Sequence, residues 1–205
     1  MIGAALLYVN VYINTKYVIL YHHIISPYYM NIVIELFNKF GMFAPLILYF
    51  CSIYLLWNSH NLFFYYNIGF FINALLNLII KGIIQEPRPS EDPKTFHLAL
   101  THGKRFLFKD GIPHDIFGMP SGHAQSSFFS TMFIYLSFRK QNLLCAYLLV
   151  SFLTMIQRVV YNHHTLLQVI IGVLVGCGFG YFVYFLAQEK IKGHITEKAD
   201  DYGPL

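Results

Sequence analysis

The residues of this chain that can do chemistry are basic side chains and histidines at the edges of apolar segments. They occur in three stretches: KGIIQEPRP at 81–89, PSGH at 120–123 and QRVVYNHHTLLQ at 157–168. Charged groups inside or at the ends of membrane helices are costly to bury and mark functional sites by default. The cations in these stretches, Lys81, Arg88 and Arg158, therefore predict a site for an anion.

The basic and amide groups of these stretches suit the oxygens of a phosphate. Arg88 and Arg158 can grip phosphoryl oxygens in fork geometry, and Lys81 supplies a point charge. The backbone amides of Ser121 and Gly122 stand at the predicted start of an apolar helix, where unpaired N–H groups and the helix dipole attract anions. We expect these five residues to form a phosphate cradle.

Two histidines can supply the remaining chemistry of phosphoryl transfer. One imidazole attacks phosphorus to give a phosphohistidine, and a second, protonated one gives its proton to the leaving oxygen. His164 and Gln168 share a helix face at i, i+4, so the Gln168 amide can hold one ring nitrogen and leave the other to attack. His123, at a helix start, is then the acid.

The three stretches also carry a family resemblance. K-x6-RP, PSGH and R-x5-H, in this order, look like the signature motifs of the phosphatidic acid phosphatase type 2 and haloperoxidase superfamily. More narrowly, IIKGIIQEPRP, FGMPSGHAQ and RVVYNHHTLLQV resemble the dolichyl diphosphatase branch, over about residues 29–187. The resemblance implies hydrolysis of a polyprenyl diphosphate to the monophosphate. It makes His164 the nucleophile, His123 the acid, and Lys81, Arg88, Ser121, Gly122 and Arg158 the phosphate cradle.

Two positions depart from the superfamily pattern. Gln157 stands where a serine usually precedes the arginine, and Gln168 stands where the superfamily usually places an aspartate. A neutral amide can hold a tautomer but cannot offset the charge that builds on an attacked imidazole. The resembling branch also has glutamine there, which favours a working site. Glu86 can moderate the cationic cluster or orient Arg88, and the sequence leaves both open.

Composition predicts a membrane protein. Only 12% of the residues are charged, whereas soluble domains have about a quarter. The net charge of +4 is dispersed along the chain, which argues against nucleic acid as a partner. We expect an all-α, polytopic bundle of five to six transmembrane helices with an amphipathic helix on the membrane surface.

Apolar segments long enough to approach the thickness of a bilayer set the predicted topology. The clear spans are 42–57, 62–84, 121–138, 142–161 and 165–187; a weaker one is 3–22, and 29–40 has the pattern of a surface helix. Successive spans alternate in direction. The end of the span 62–84, the start of 121–138, the end of 142–161 and the start of 165–187 therefore share one membrane face, where the cations and histidines converge.

The predicted organisation is an N-terminal helix at 1–28, a catalytic membrane domain at 29–188 and a polar tail at 189–205. No cofactor is implied, and no metal, because His97, His102 and His114 lack ligand-like spacing. The expected partners are a lipid diphosphate and the membrane, and the resemblance implies a lumenal or extracytoplasmic site, as in the endoplasmic reticulum. Two alternatives stay open: a lipid monophosphate as substrate, and a catalytically silent protein that binds lipid phosphates.

Overall fold

The structure is a computed structural model that describes residues 27–109 and 111–192. Its elements, in chain order, are α1 (Pro27–Leu56), α2 (His60–Ile84), α3 (Pro93–Thr101), β1 (Phe106–Lys109), β2 (Ile112–Asp115), α4 (Gly122–Phe138), α5 (Gln141–Val160) and α6 (Leu166–Lys192). The predicted helix at 3–22 and the tail from 193 onward lie outside the described residues. Residues 189–192, predicted to begin the tail, continue α6 instead.

The described chain is mostly helical, as predicted, and built for a bilayer. Segments Asn31–Leu56, His60–Ile84, Gln141–Val160 and Leu166–Glu189 are each long and apolar enough to cross a membrane. The remaining predicted span, 121–138, corresponds to α4, a helix of 17 residues. Many large apolar side chains face outward, including Ile83 at 76% exposure and Leu149 at 63%. Such surfaces suit lipid rather than water, which confirms a multi-pass membrane bundle.

The predicted surface helix at 29–40 and the span at 42–57 form a single helix, α1. The sequence predicted two helices because residues 29–40 have one polar and one apolar face, whereas residues 42–57 form an apolar span. The helix continues through Gly41. A Cβ there would lie 2.5 Å from Gln157 Cγ, so the glycine leaves room for that side chain of α5. Contacts divide the described chain between Phe40 and Gly41, and the candidate site lies in the unit that begins at Gly41.

An aromatic core fills the end of the bundle away from the predicted site. It combines Tyr66 near the start of α2, Phe129 and Phe133 from α4, and Val183 near the end of α6. The buried Tyr66 hydroxyl pairs with Ser130 Oγ at 2.8 Å, so this polar tip is satisfied. Packing at this end leaves polar side chains to dominate the other end of the same helices.

Helices α4 and α6 approach closely along a line of glycines. A Cβ at Gly172 would lie 2.6 Å from the Ser121 carbonyl oxygen, and one at Gly176 would lie 2.2 Å from that of Gln125. The four-residue spacing of Gly172, Gly176 and Gly180 on α6 therefore serves packing against α4. The contact holds the start of α4, with its histidine, against the start of α6.

The sequence places no span between residues 84 and 121 and therefore predicts one loop at about 86–119, but this segment contains its own small structure. Asp92 caps α3 by accepting the Thr95 amide at 2.9 Å, and β1 pairs with β2 in an antiparallel hairpin. Ala99, Ile116 and Phe117 form a separate buried cluster under this segment. The sequence-based view missed these elements because each is short and its apolar pattern covers few residues.

Candidate active site

Lys81 lies in the last turn of α2 and is almost buried, at 4% exposure. Its Nζ donates to the Phe117 carbonyl oxygen at 3.0 Å and lies 3.4 Å from Asp115 Oδ2. The helix ends soon afterwards at Gln85, whose φ of 53° is left-handed. This turn sends the chain across the bundle end, toward Arg88.

The two predicted arginines reach the site from different elements. Arg88 lies between α2 and α3, and its Nε donates to the Asp115 carbonyl oxygen at 2.8 Å. Arg158 lies in the last turn of α5 with 6% exposure. Its buried Nε has no hydrogen-bond partner among residues 27–109 and 111–192. An unpaired buried guanidinium donor is costly unless a ligand satisfies it.

Ser121 and Gly122 stand at the start of α4, as expected, but the Ser121 amide is already used. Its N–H donates to the Gln168 carbonyl oxygen at 2.9 Å, so this amide cannot also serve a phosphate. The Ser121 hydroxyl does not cap the helix and has no partner in the described part of the chain, although the residue is fully buried. The hydroxyl and the Gly122 N–H, in the first turn, remain as donors.

His164 lies between α5 and α6, only 3% exposed, and its ring is oriented by Gln168. Nδ1 of His164 lies 3.1 Å from Gln168 Oε1, the contact that the i, i+4 spacing predicted. The backbone around it is fixed as well, because the amides of His163 and His164 both donate to the Arg158 carbonyl oxygen, at 3.0 and 3.1 Å. With Nδ1 engaged, Nε2 is the nitrogen available for attack.

The surroundings of His164 keep its imidazole neutral. Burial is the main cause that lowers the pKa of His164, and the positive charges of Arg88 and Lys81 lower it further. Arg158 adds to this effect. Three of the predicted cations, from separate elements, therefore act electrostatically on one imidazole.

His123 contacts two groups through Nε2. One is Arg158 Nη2, and the other is the Met42 carbonyl oxygen at 3.1 Å. A guanidinium can only donate and a carbonyl can only accept. The contact with Arg158 therefore suits an unprotonated Nε2, and the contact with Met42 suits a protonated one. The position offers a partner for each protonation state that an acid, and later a base, must adopt.

Sequence reasoning missed a carboxylate at the site, Asp115 at the end of β2. It binds Arg105 through two contacts of 3.2 and 3.0 Å and accepts the Phe117 amide at 3.1 Å. Burial alone would raise the pKa of Asp115, but the hydrogen bond from Arg105 and the charge of Lys81 hold it below its ordinary value. Asp115 thus ties the hairpin to the cradle. No motif marked it, because it lies in a segment read as loop.

A second missed feature is a polar network that holds the PSGH turn. Gln125 is fully buried, and its Nε2 donates to the Asn73 backbone and side-chain oxygens, both at 2.9 Å. Asn77 Nδ2 donates to Gln125 Oε1 at 2.8 Å and to the Pro120 carbonyl oxygen at 3.2 Å. The sequence signal was present, since Asn73, Asn77 and Lys81 follow a four-residue spacing on α2.

Side chains of the types that bind metals do not cluster in the described part of the chain. No group of three or more His, Cys, Asp or Glu side chains has metal-binding geometry there. His97 and His102 lie on or just after the exposed helix α3, and His114 Nε2 lies 3.4 Å from Glu91 Oε1. The donors around His164 are cationic and amide groups instead, which suit an anion.

A known family profile matches more than half of the chain. Residues 62–192 match the PAP2 superfamily. The chain belongs to the PAP2 superfamily. The match covers all three stretches from which the superfamily was predicted, so that prediction is confirmed.

Three individual proteins are similar to parts of this chain. The chain is 32% identical to the dolichyldiphosphatase of Saccharomyces cerevisiae over 58% of this chain and 48% of the relative. It is 30% identical to dolichyldiphosphatase 1 of Homo sapiens over 60% and 51%. A lipid A 4'-phosphatase of Helicobacter pylori is 42% identical over 37% and 36%. The chain therefore spans about half the length of the two dolichyldiphosphatases, or less, in these matches.

A solved structure supports the PAP2 fold. The PAP2 type phosphatidylglycerolphosphate phosphatase of Bacillus subtilis aligns with a TM-score of 0.52 over 83% of this chain and 81% of that one. Sequence identity is 18%. This similarity concerns the arrangement of the helices, and it matches the predicted membrane phosphatase architecture.

Proposed function

We propose that the protein hydrolyses a polyprenyl diphosphate, such as dolichyl diphosphate, to the monophosphate through a phosphohistidine at His164. The single observation that carries the proposal is the buried His164 ring. Its Nδ1 is held by Gln168, and three cations act on it. Two relatives at about 30% identity are named dolichyldiphosphatases, which favours the diphosphate.

In the first step, the lone pair of His164 Nε2 attacks the terminal phosphorus. The bond from that phosphorus to the bridging oxygen breaks, and His123 gives its proton to the departing lipid monophosphate. Lys81, Arg88 and Arg158 stabilise the charge on the phosphoryl oxygens, with the Ser121 hydroxyl and the Gly122 amide. In many enzymes, such preorganised donors make the largest single contribution to the rate enhancement, because they stabilise the charge of the transition state.

In the second step, water attacks the phosphorus of phosphohistidine while unprotonated His123 takes a proton from it. The P–N bond breaks, phosphate leaves, and both histidines return to their starting states. This exchange needs His123 Nε2 to donate in one step and accept in the next. Its two contacts, with the Met42 carbonyl and with Arg158, match those two needs.

A lipid monophosphate is the second candidate substrate. A lipid A 4'-phosphatase is among the relatives, at the highest identity of the three compared but over 37% of this chain. The same cradle would receive the phosphate of either lipid. Values of kcat/KM for polyprenyl diphosphate and for phosphatidate, measured side by side, separate the two. A higher value on phosphatidate would favour the second candidate.

The test of the mechanism is to trap the phosphoenzyme. Purified full-length protein in detergent with EDTA is mixed with lipid diphosphate labelled with ³²P in the terminal phosphate, and then quenched in alkali. We expect acid-labile label on His164. His164→Ala should lose the label and at least about 10³-fold in kcat, because the nucleophile is absent.

His97→Ala is the matched control, since His97 is an exposed histidine on α3. It should keep both label and rate. Turnover by His164→Ala equal to the parent would disprove the nucleophile. Vanadate mimics a phosphoryl group during transfer. If the parent shows no label, no turnover and no binding of vanadate, the result would support a catalytically silent protein. Loss of turnover with EDTA would contradict the metal-independent mechanism.

We also propose that the site faces the lumen of the endoplasmic reticulum. The similarity to two dolichyldiphosphatases supports a polyprenyl substrate, which belongs to that membrane, and the cradle lies at one end of the spans. The sequence does not set the orientation by itself. Basic residues outside the motifs divide evenly between the two faces, so the positive-inside rule does not choose between them.

A further inference from the structure

The Gln168 amide makes four hydrogen bonds that determine its orientation. Oε1 accepts from His164 Nδ1 at 3.1 Å and from the Thr165 amide at 3.2 Å. Nε2 donates to the Pro87 carbonyl oxygen at 2.9 Å and to Glu86 Oε1 at 2.8 Å. The Thr165 N–H can only donate and the Pro87 carbonyl can only accept, so a flipped amide would lose both.

This orientation also determines the tautomer of His164. Because Gln168 presents an oxygen, Nδ1 of His164 must be the protonated nitrogen, and Nε2 holds the lone pair. On attack, the imidazole becomes positively charged. A glutamine cannot balance that charge, and a carboxylate is needed within reach of the hydrogen-bond chain.

Glu86 provides the carboxylate. It is joined to His164 by one bridging amide, in the order His164, Gln168, Glu86. Polarised hydrogen bonds in such chains strengthen one another in a buried setting. Gln168 itself is fully buried, so its surroundings screen the interaction weakly.

The backbone holds Glu86 in place for this role. The Gly118 amide donates to the Glu86 carbonyl oxygen at 2.6 Å, and Pro87 forms a β-bridge with Phe117. Gly118 also leaves room for the bridging amide, because a Cβ there would lie 2.6 Å from both Nε2 and Oε1 of Gln168. The turn before PSGH and the segment after α2 therefore enclose the chain of hydrogen bonds.

The roles that the sequence left open for Glu86 do not match its contacts. Within residues 27–109 and 111–192, its carboxylate forms no ion pair with Arg88 or Lys81. Arg88 instead donates to the Asp115 backbone, and Lys81 contacts the Asp115 carboxylate. The contact that the Glu86 carboxylate makes is the one to Gln168.

We propose that Glu86 is a positioning residue for His164, acting through Gln168 in place of the aspartate that the superfamily usually has at that position. This inference rests on the proposed function, in which His164 is the nucleophile. Glu86 orients the attacking ring and balances the charge that forms on it. It does not touch the substrate.

The test is a double-substitution cycle on the purified full-length protein, with a polyprenyl diphosphate as substrate. Glu86→Gln keeps an acceptor for the Gln168 amide but removes the charge. We expect kcat to fall about 10- to 100-fold, as for residues that orient catalytic or metal-binding histidines from behind, with little change in KM. Glu189→Gln, the same change at an exposed position late in α6, should leave both constants unchanged.

Gln168→Asp distinguishes charge from structure. Alone it places two carboxylates side by side, so we expect lower kcat from like-charge repulsion. Combined with Glu86→Gln it restores one carboxylate, now directly beside His164, and should recover most of the activity lost in Glu86→Gln. A residue needed only for folding would not be rescued in this way. Thermal unfolding and vanadate binding establish that each variant is folded.

Two results would overturn the inference: a Glu86→Gln variant with parental kcat, or a double variant no faster than the slower single one. If Glu86→Gln does not fold, the kcat of Gln168→Asp is compared with that of the double variant. A double variant no faster than Gln168→Asp would then overturn the inference. Phosphohistidine trapped on His164 in the parent, together with either result, would reject Glu86 while keeping the proposed function. Parental turnover in His164→Ala would reject both.

Discussion

The His164 ring shows how one residue depends on several elements. Its neighbours come from the ends of α2 and α5 and from the start of α6. A buried imidazole among cations is a poor base for a free proton. It is still a good nucleophile, because its lone pair is not lost to protonation. In the proposed mechanism, the cations that hold the phosphate thus also keep the attacking nitrogen unprotonated.

This environment predicts the protonation state of His164 over a wide pH range. A free histidine has a pKa of about 6.5. Burial, and then Arg88 and Lys81, lower the pKa of His164. A lowered pKa means that the ring stays neutral as the pH falls through 6.5, where an unperturbed ring would gain a proton. We expect His164 to remain the neutral Nδ1–H tautomer from pH 8 to pH 5.

The measurement is ¹⁵N NMR of histidine-labelled protein in detergent micelles, with His164 assigned by His164→Gln. The ring signals of His164 should not titrate between pH 8 and pH 5. Gln168→Met, which keeps the length but removes the acceptor, should yield a mixture of tautomers. A titration midpoint near 6.5, or the Nε2–H form in the parent, would contradict the structure.

At the scale of elements, the contact between α4 and α6 positions the PSGH turn. Small residues let membrane helices approach until their backbones touch. Here the contact includes the first turn of α4, which carries His123. The same helix pair therefore provides packing at its middle and places His123, the proposed acid, at its end.

Gly176 and Gly178 offer a matched comparison within one helix. A Cβ at Gly176 would lie 2.2 Å from the Gln125 carbonyl oxygen, whereas one at Gly178 would have no heavy atom of the described chain within 4 Å. Gly176→Ala should separate the helices and destabilise the protein by about 1–3 kcal/mol. Gly178→Ala should be neutral or stabilise by up to about 1 kcal/mol, because glycine weakens helices.

Thermal unfolding in detergent checks both variants, and kcat checks the position of His123. We expect Gly176→Ala to lower the unfolding temperature and kcat together. Equal unfolding temperatures for Gly176→Ala and Gly178→Ala would show that the helices are not in backbone contact. Loss of stability in Gly178→Ala alone would reverse the assigned face of α6.

At the scale of the whole molecule, the bundle has two unlike ends. One is filled by packed aromatic rings and the other by cations, amides and histidines. The polar end also carries the hairpin and α3. In the proposed function, a lipid headgroup approaches that end at the surface of the bilayer.

The proposed lumenal site predicts which loops a reagent can reach. In a background with Cys51, Cys145 and Cys177 replaced by Ala, Phe108→Cys marks the hairpin, since Phe108 is 75% exposed. Lys140→Cys marks the opposite end, between α4 and α5. In sealed vesicles of endoplasmic reticulum with the cytoplasmic face outward, an impermeant maleimide should label Lys140→Cys and spare Phe108→Cys.

Permeabilisation with detergent provides the control, because it should expose both cysteines to label. Labelling of Phe108→Cys in intact vesicles, with Lys140→Cys protected, would place the site on the cytoplasmic side. Labelling of both in intact vesicles would contradict the bundle topology itself. Residual activity of each variant confirms that the labelled protein is folded.

The sequence by itself determined the superfamily and the membrane bundle, and it predicted the set of groups at one end of that bundle. Three motifs at the ends of spans suffice for this, because antiparallel helices alternate in direction and helical spacing pairs His164 with Gln168. The continuous α1, the hairpin with Asp115, the Gln125 network and the contact of Glu86 with Gln168 came only from the tertiary structure. The Gln125 network and the contacts of Asp115 and Glu86 join residues far apart in the chain through single hydrogen bonds, and such contacts leave no periodic trace in the sequence.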